Sequence, residues 1–165
     1  PTSLETSFDT IKRIDITSAE EMYKACMKFS AKQDLIIKAA AVADFKPEAF
    51  AKGKIKKETK LKSIGLDPTR DILQELGKKK KKGQILIGFA LETDEGTARA
   101  KAKIKKKNLD AIILNSLQDK GAGFKVNTNK ISIIGRNNKT LKFELKDKHA
   151  VAKDIITYAQ RLLKK

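Results

Sequence analysis

Asp34-Leu35-Ile36-Ile37-Lys38-Ala39-Ala40-Ala41-Val42-Ala43-Asp44-Phe45 decides the fold. From Leu35 to Val42 the run is almost continuous in apolar or small side chains. It does not alternate, so it predicts a strand over 35–42 covered on both faces, as in a parallel sheet. It ends in an acid and an aromatic. In an open α/β sheet, ligands sit beyond the carboxyl ends of the strands. Ala43-Asp44-Phe45 is therefore read as part of a working edge that handles phosphate-bearing, anionic small molecules.

Upstream, residues 11–16 (Ile-Lys-Arg-Ile-Asp-Ile) predict a short strand. Ser18 and Glu21 have capping-box spacing, and Met22, Cys26 and Phe29 follow at helical spacing. Downstream, 44–66 has no period. It reads as a long functional loop with a short strand around 54–57. Pro68 suits a first helical turn, the helix continues through 71–76, and Gly77 ends it. The lysines of 78–82 read as a solvated turn. A strand over 84–90, a helix over 94–107 and a strand over 110–115 follow. After a loop over 116–129, alternating segments 130–135 and 140–145 flank a hairpin turn at 136–139. A final helix spans 148–163, with Val151, Ile155, Ala159 and Leu162 on one face. The order predicts a doubly wound α/β domain: a mainly parallel sheet, helices on both faces, and an antiparallel hairpin near one edge.

The 165 residues suit one domain with a real core. No apolar run approaches the ~20 residues of a membrane span, and residues 1–6 lack the basic start and apolar stretch of a signal peptide. The single cysteine, Cys26, rules out an internal disulfide and falls on a predicted apolar helix face, as a small buried hydrophobe. A cytoplasmic location is expected. Thirty-seven lysines and arginines against 20 acids give a net charge of +17, which points to polyanions or phosphate chemistry. Lysine dominates, whereas arginine is the preferred reader of base edges. That imbalance weighs against the rival reading, a basic α/β nucleic-acid-binding module.

Asp44 reads as a ligand contact rather than a turn cap, because Phe45 and a basic loop follow at once. Lys54 and Lys56 share one face of an extended segment. Two ammonium groups there suit a pyrophosphate or triphosphate, and spacing alone does not separate that role from a solvated arm. Lys103 and Lys107 share a helix face, which by itself is a plain lysine stripe. Phe89 after Gly88 either stacks on a base or belongs to the core, and Asn115 is equally undecided. His149, the only histidine, reads as exposed at a helix start. No His/Cys metal cluster, Gly-rich dinucleotide loop or Walker loop is present.

Taken in order, Ala40-Ala41-Val42-Ala43-Asp44-Phe45, Lys54-Ile55-Lys56-Lys57, Asp71-Ile72-Leu73, Gly88-Phe89-Ala90-Leu91-Glu92-Thr93, Lys107-Asn108-Leu109-Asp110 and Asn115 resemble phosphopantothenate–cysteine ligase, the synthetase half of the bacterial bifunctional coenzyme A biosynthesis protein. The resemblance implies a Rossmann-like fold. It also implies CTP-dependent ligation of 4'-phosphopantothenate and cysteine through an acyl-cytidylate, with Mg2+ accompanying the CTP, and a homodimer. FMN would belong only to a separate decarboxylase domain. The resemblance places Lys38, Ala39, Ala40 and Asp44 at the nucleotide, and Lys54 at its phosphates and in turnover. Arg70, Asp71, Ile72 and Leu73 become the cytosine-reading stretch, Phe89 a packing surface, and Lys103 and Lys107 phosphate ligands. Two departures stand out. Arg70 occupies a position where the family has proline. The sequence also starts inside the family's Gly-Pro-Thr turn, so 1–165 is expected to be a single ligase domain without its N-terminal strand, Gly-rich loop and first helix.

Overall fold

The computed structural model describes residues 8–49, 53, 63–92, 96–116 and 126–164. Its centre is a five-stranded sheet. The strands are β1 (Leu35–Lys38), β4 (Ile85–Glu92), β5 (Ala111–Ser116), β7 (Ile131–Gly135) and β8 (Thr140–Lys142), in that spatial order. β1, β4 and β5 run parallel, and β7 and β8 close one side antiparallel. The remaining strands form two-stranded ribbons: β2 (Phe45–Pro47) with β3 (Leu66–Pro68), and β6 (Thr128–Asn129) with β9 (Lys146–Asp147).

Helices α1 (Ala19–Ser30), α2 (Ile72–Lys79) and α3 (Gly96–Lys106) cover one face, and α4 (Lys148–Leu163) covers the other. On the first face Ile72, Leu73, Leu76, Ala100 and Ile104 pack on Leu86, Ile112 and Ile134. On the second, Val151, Ile155 and Ala159 pack on Ile87, Ile113, Ile131 and Ile133. Consecutive residues of one strand thus feed opposite cores, as the non-alternating apolar runs require. The doubly wound α/β architecture read from the sequence is the one observed.

Helix α1 starts as its capping box predicts. The Glu21 N–H donates to Ser18 Oγ at 3.2 Å, and the Glu21 carboxylate accepts from the Ser18 N–H at 3.1 Å. The Thr17 N–H and hydroxyl reach the same carboxylate, and these bonds hold Glu21 below its ordinary pKa. The last helix also matches its expected span. Asp147 caps it, accepting from the His149 and Ala150 N–H groups, and His149 is exposed.

Several boundaries differ from expectation. Residues 11–16 are not a strand and pair with none of the described strands. Their β-branched isoleucines satisfy a local preference, but a strand also needs a neighbour to take its backbone bonds. The run at 35–42 is paired only to Lys38, where it meets Gly88. The three alanines that follow are exposed and bury too little apolar surface to hold the chain on the sheet. The ends of the 44–66 loop zip into the β2–β3 ribbon, while the strand expected at 54–57 lies outside the described residues. Pro68 belongs to β3, and Asp71 is the N-cap of α2.

Gly77 lies inside α2 rather than at its end. A Cβ there would sit 1.9 Å from the Lys107 carbonyl oxygen, so the residue serves close helix-to-chain packing. The lysines of 78–82 are not a simple solvated turn. Lys78 and Lys79 continue α2. Lys80, with a side chain only 9% exposed, bridges both carboxylate oxygens of Asp110 at 2.9 and 2.8 Å. Lys81 donates to the Ala31 carbonyl at 2.9 Å.

Candidate functional site

The carboxyl end of β1, the chain that leaves it and the start of α2 surround a cleft of about 170 Å3. Lys38, Ala40, Val42, Ala43 and Asp44 form one wall; Thr69 through Leu73 form another; Phe89 and Lys107 close it. The walls are tied together by Thr69. Its N–H donates to the Asp44 carbonyl at 2.8 Å and its hydroxyl to the Ala43 carbonyl at 2.5 Å. The β2–β3 ribbon emerges from this junction, so the base of the long loop is anchored at the lip of the cleft.

Charge is concentrated here. Asp71 Oδ1 accepts from the Gln74 N–H at 3.0 Å, capping α2, while Oδ2 pairs with Lys107 Nζ at 2.7 Å. Burial pushes the Asp71 carboxyl upward. The Lys107 and Gln74 bonds, with the charges of Lys107 and Lys38, outweigh burial and leave it below its ordinary value. Lys38 is half-buried, and its Nζ donates to the Ala40 carbonyl at 2.8 Å. Burial lowers its pKa, opposed by Cys26 and Asp71 and reinforced by Lys107. Burial raises the Cys26 thiol against the pull of Lys38, so Cys26 is a protonated packing residue, as the sequence suggested.

The Asp44 carboxylate is exposed and has no hydrogen-bond or ion-pair partner among the described residues. Asp71 caps α2 through the Gln74 N–H, and the Glu75 N–H donates to the Asp71 carbonyl. That leaves the Ile72 and Leu73 N–H groups as the first-turn donors outside the helix ladder, positioned to receive a negative group or a polar base edge.

The expected site residues divide accordingly. Lys38, Ala40, Asp44, Arg70, Asp71, Ile72, Leu73, Phe89 and Lys107 come together at the cleft. Ala39 is next to it in the chain but not on its wall, and Lys103, half-buried on α3, does not line it either. Lys54 lies outside the described residues. Arg70 borders the cleft, yet its guanidinium stacks on the Tyr23 ring at 4.6 Å and pairs with Glu20 at 3.7 Å. A bond to Tyr23, with Glu20 adding to it, raises its pKa.

Asn115 lies one residue before the end of β5, opposite Leu91 and Ile131, and is not on the cleft wall. Its Oδ1 is buried without a partner among the described residues. Thr69 was missed. The only sequence signal for it is a hydroxyl residue two places before the helix-capping Asp71.

A wider depression of about 880 Å3 lies at the opposite edge of the sheet, between the end of α3 and the β7–β8 turn. Its lysines, Lys101, Lys105 and Lys106, stand on the C-terminal half of α3. There they complement the helix carbonyls, and the same carbonyl end disfavours an anion. The cleft at the carboxyl edge combines cations, helix-start N–H groups and an acid without a partner among the described residues, which makes it the stronger candidate for a ligand site.

Fold and cleft together define a doubly wound α/β domain with a cleft lined by Lys38 and Lys107 at the carboxyl edge of its sheet. The chain belongs to the family described as the DNA/pantothenate metabolism flavoprotein C-terminal domain, which matches residues 1–162. It is 51% identical over 156 residues, 94% of its length, to a cysteine/cysteine sulfinic acid decarboxylase from an unidentified prokaryote, and covers 44% of that protein. It is 37% identical over 156 residues to the coenzyme A biosynthesis bifunctional protein CoaBC of Bacillus subtilis strain 168, covering 94% of this chain and 38% of that one. The chain thus spans less than half the length of these relatives. Among solved structures, the C-terminal domain of a coenzyme A biosynthesis bifunctional protein CoaBC superposes with a TM-score of 0.77 at 30% identity. That match covers 99% of this chain and 73% of the other.

Proposed function

We propose that the domain performs the CTP-dependent ligation of 4'-phosphopantothenate with cysteine, a step of coenzyme A biosynthesis, in the cytoplasm. The observation that carries this reading is the meeting of Lys38, Lys107, Asp44 and the free Ile72 and Leu73 N–H groups in one cleft. The similarity to CoaBC proteins supports it. The cleft is smaller than the ~300–1,000 Å3 of a whole drug-sized ligand site, so it takes in one portion of a nucleotide.

In the ligation, the phosphopantothenate carboxylate attacks the α-phosphorus of CTP. The bond to the β-phosphate oxygen breaks, and pyrophosphate leaves with the electron pair. The cysteine amine then attacks the acyl carbon and expels CMP. Lys38 and Lys107 offset negative charge on the phosphates, while the α2 N–H donors orient the nucleotide and Phe89 supplies an apolar surface. Lys54 is assigned to turnover on the loop whose base the ribbon anchors. Arg70 contributes its backbone only, which agrees with a position where the family carries proline.

Among the described residues no group of three His, Cys, Asp or Glu side chains is placed to cage a metal. A magnesium ion that arrives on the phosphates needs one or two carboxylates, and Asp44 fits that need; bound there, it would neutralise phosphate charge. Exposed Phe45, Ile64 and Leu66 on and beside the ribbon support the homodimer as part of this proposal.

The test is pyrophosphate release by the full-length protein given CTP, Mg2+, 4'-phosphopantothenate and cysteine. CTP should outperform ATP, and Lys54→Gln should lose turnover. Absence of any thermal shift with CTP and Mg2+ would sink the reading. The decarboxylase name of the relative at 51% identity favours a second reading, in which this domain serves a protein that releases CO2 from cysteine. CO2 without pyrophosphate in the same assay would select it.

A further inference from the structure

Lys107 reaches the cleft from a turn whose geometry is held by its neighbour. Asn108 has φ +53°, the left-handed region that few residues other than glycine, asparagine and aspartate adopt readily. Its Nδ2 donates to the Gly77 carbonyl at 2.9 Å, and its Oδ1 accepts from the Arg136 guanidinium. Arg136 also donates to the Leu109 carbonyl at 3.1 Å. The Gly77 backbone lies directly on the Lys107 carbonyl, with no room for even one methyl group.

Asp71, the N-cap of α2, and Gly77 within the helix are six positions apart, which is roughly 9 Å along a helix axis. That distance is of the order of a lysine's whole length. The Lys107 side chain therefore has little slack, and the position of its backbone decides whether Nζ arrives at Asp71.

We propose that Asn108 is a positioning residue. It clasps the turn after α3 to Gly77 of α2 and thereby aims Lys107 into the ligand cleft. Its effect on ligand binding rests on the nucleotide reading above; the clasp itself does not. Asn108 does not line the cleft, so its effect there runs through Lys107.

Asn108→Gly tests the clasp, because glycine accepts the left-handed backbone and removes both side-chain bonds. Two measurements on the full-length protein decide it. The first is the Asp71 carboxylate titration, followed by NMR without ligand. In Asn108→Gly it should rise toward its ordinary value, as it should in Lys107→Met; an unmoved Asp71 overturns the clasp. The second is CTP affinity in a double-mutant cycle. Loss of one charge-assisted bond predicts about a tenfold weakening for Lys107→Met, and Asn108→Gly should approach it. The double variant should bind no worse than Lys107→Met alone, since a positioning residue has nothing left to position. Additive losses would mean that Asn108 is merely structural. If the unaltered protein binds no CTP, the nucleotide reading fails, and the Asp71 titration still decides the clasp.

Discussion

Replacing Lys80 with methionine removes one partner of the most buried ion pair among the described residues. The methionine keeps most of the apolar stem and loses only the ammonium group. Lys80 and Asp110 are 9% and 17% exposed, and Nζ meets both carboxylate oxygens. Asp110 Oδ2 also accepts from the Leu86 N–H at 2.7 Å, and the Asp110 backbone bonds Leu86 and Arg136. Through carboxylate and backbone together, Asp110 thus joins the start of β5 to β4 and the β7–β8 turn.

Breaking a fully buried pair from one side costs about 3–5 kcal/mol. The residual exposure and the surviving Leu86 bond reduce that to roughly 2–3 kcal/mol here. For a domain of this size, each kcal/mol moves the melting temperature by about 2–4 °C. The expected fall is then about 4–12 °C, read by calorimetry and by urea titration at constant m-value. A loss below about 1 kcal/mol, the range of surface ion pairs, would refute the assignment of Lys80 as structural. The nucleic-acid reading makes the opposite prediction: unchanged stability and weakened, salt-dependent polyanion binding.

Ser18→Ala deletes the side-chain acceptor of the α1 capping box and should cost about 1 kcal/mol in chemical denaturation, with no effect on CTP binding. Asp71 has a folded pKa below its ordinary 3.8. It therefore contributes stability above that value and loses the contribution as pH falls through the depressed folded value. The melting-temperature gap between the unaltered protein and Asp71→Asn should close on acidification below about pH 4; a constant gap would contradict the pairing with Lys107. Gly88→Ala would place a Cβ 2.7 Å from Leu73 Cδ2 and 3.2 Å from Leu109 Cδ1. Overpacking of this kind costs about 1–3 kcal/mol, and because Leu73 lines the cleft, CTP affinity should fall with stability.

The parallel core was legible because its signal is local. Unbroken apolar runs such as Ile85-Leu86-Ile87 have no reading as half-exposed strands, and the Ser18–Glu21 spacing carries its own mechanism. What was not legible depends on contacts across the chain. Residues 11–16 have a strand's composition and no strand partner among the described residues. Gly77 looked like a helix stop because glycine is commonest there, whereas the Lys107 carbonyl across the fold is what requires it. Lys80 sits in a lysine run that reads as solvent-facing; only Asp110, thirty positions away, makes it a buried cation. At the site, resemblance singled out Lys103 and Lys107 together. Helical spacing puts both on one face, and the Lys107 N–H still bonds the Lys103 carbonyl at 2.9 Å, yet of the two only Lys107 lines the cleft formed by the described residues.

The placement of Lys107 bears on how so basic a chain can be selective. A net charge of +17 attracts any polyanion at long range, but exposed charges are screened within about 8–10 Å at physiological salt. Discrimination must then come from charges held in fixed places with water partly excluded. Lys80 and Lys81 are withdrawn from that role by Asp110 and the Ala31 carbonyl, and Arg70 by Tyr23 and Glu20. Lys38 and Lys107 differ: each is partly desolvated, and both lie in the electrostatic field of Asp71. In the free protein Asp71 holds Lys107 in place. An incoming phosphate would find the ammonium already oriented and would compete for it with one carboxylate rather than with bulk water, which lowers the ordering cost of binding. On the proposed function, the many surface lysines can speed encounter, while the two in the cleft would decide what stays.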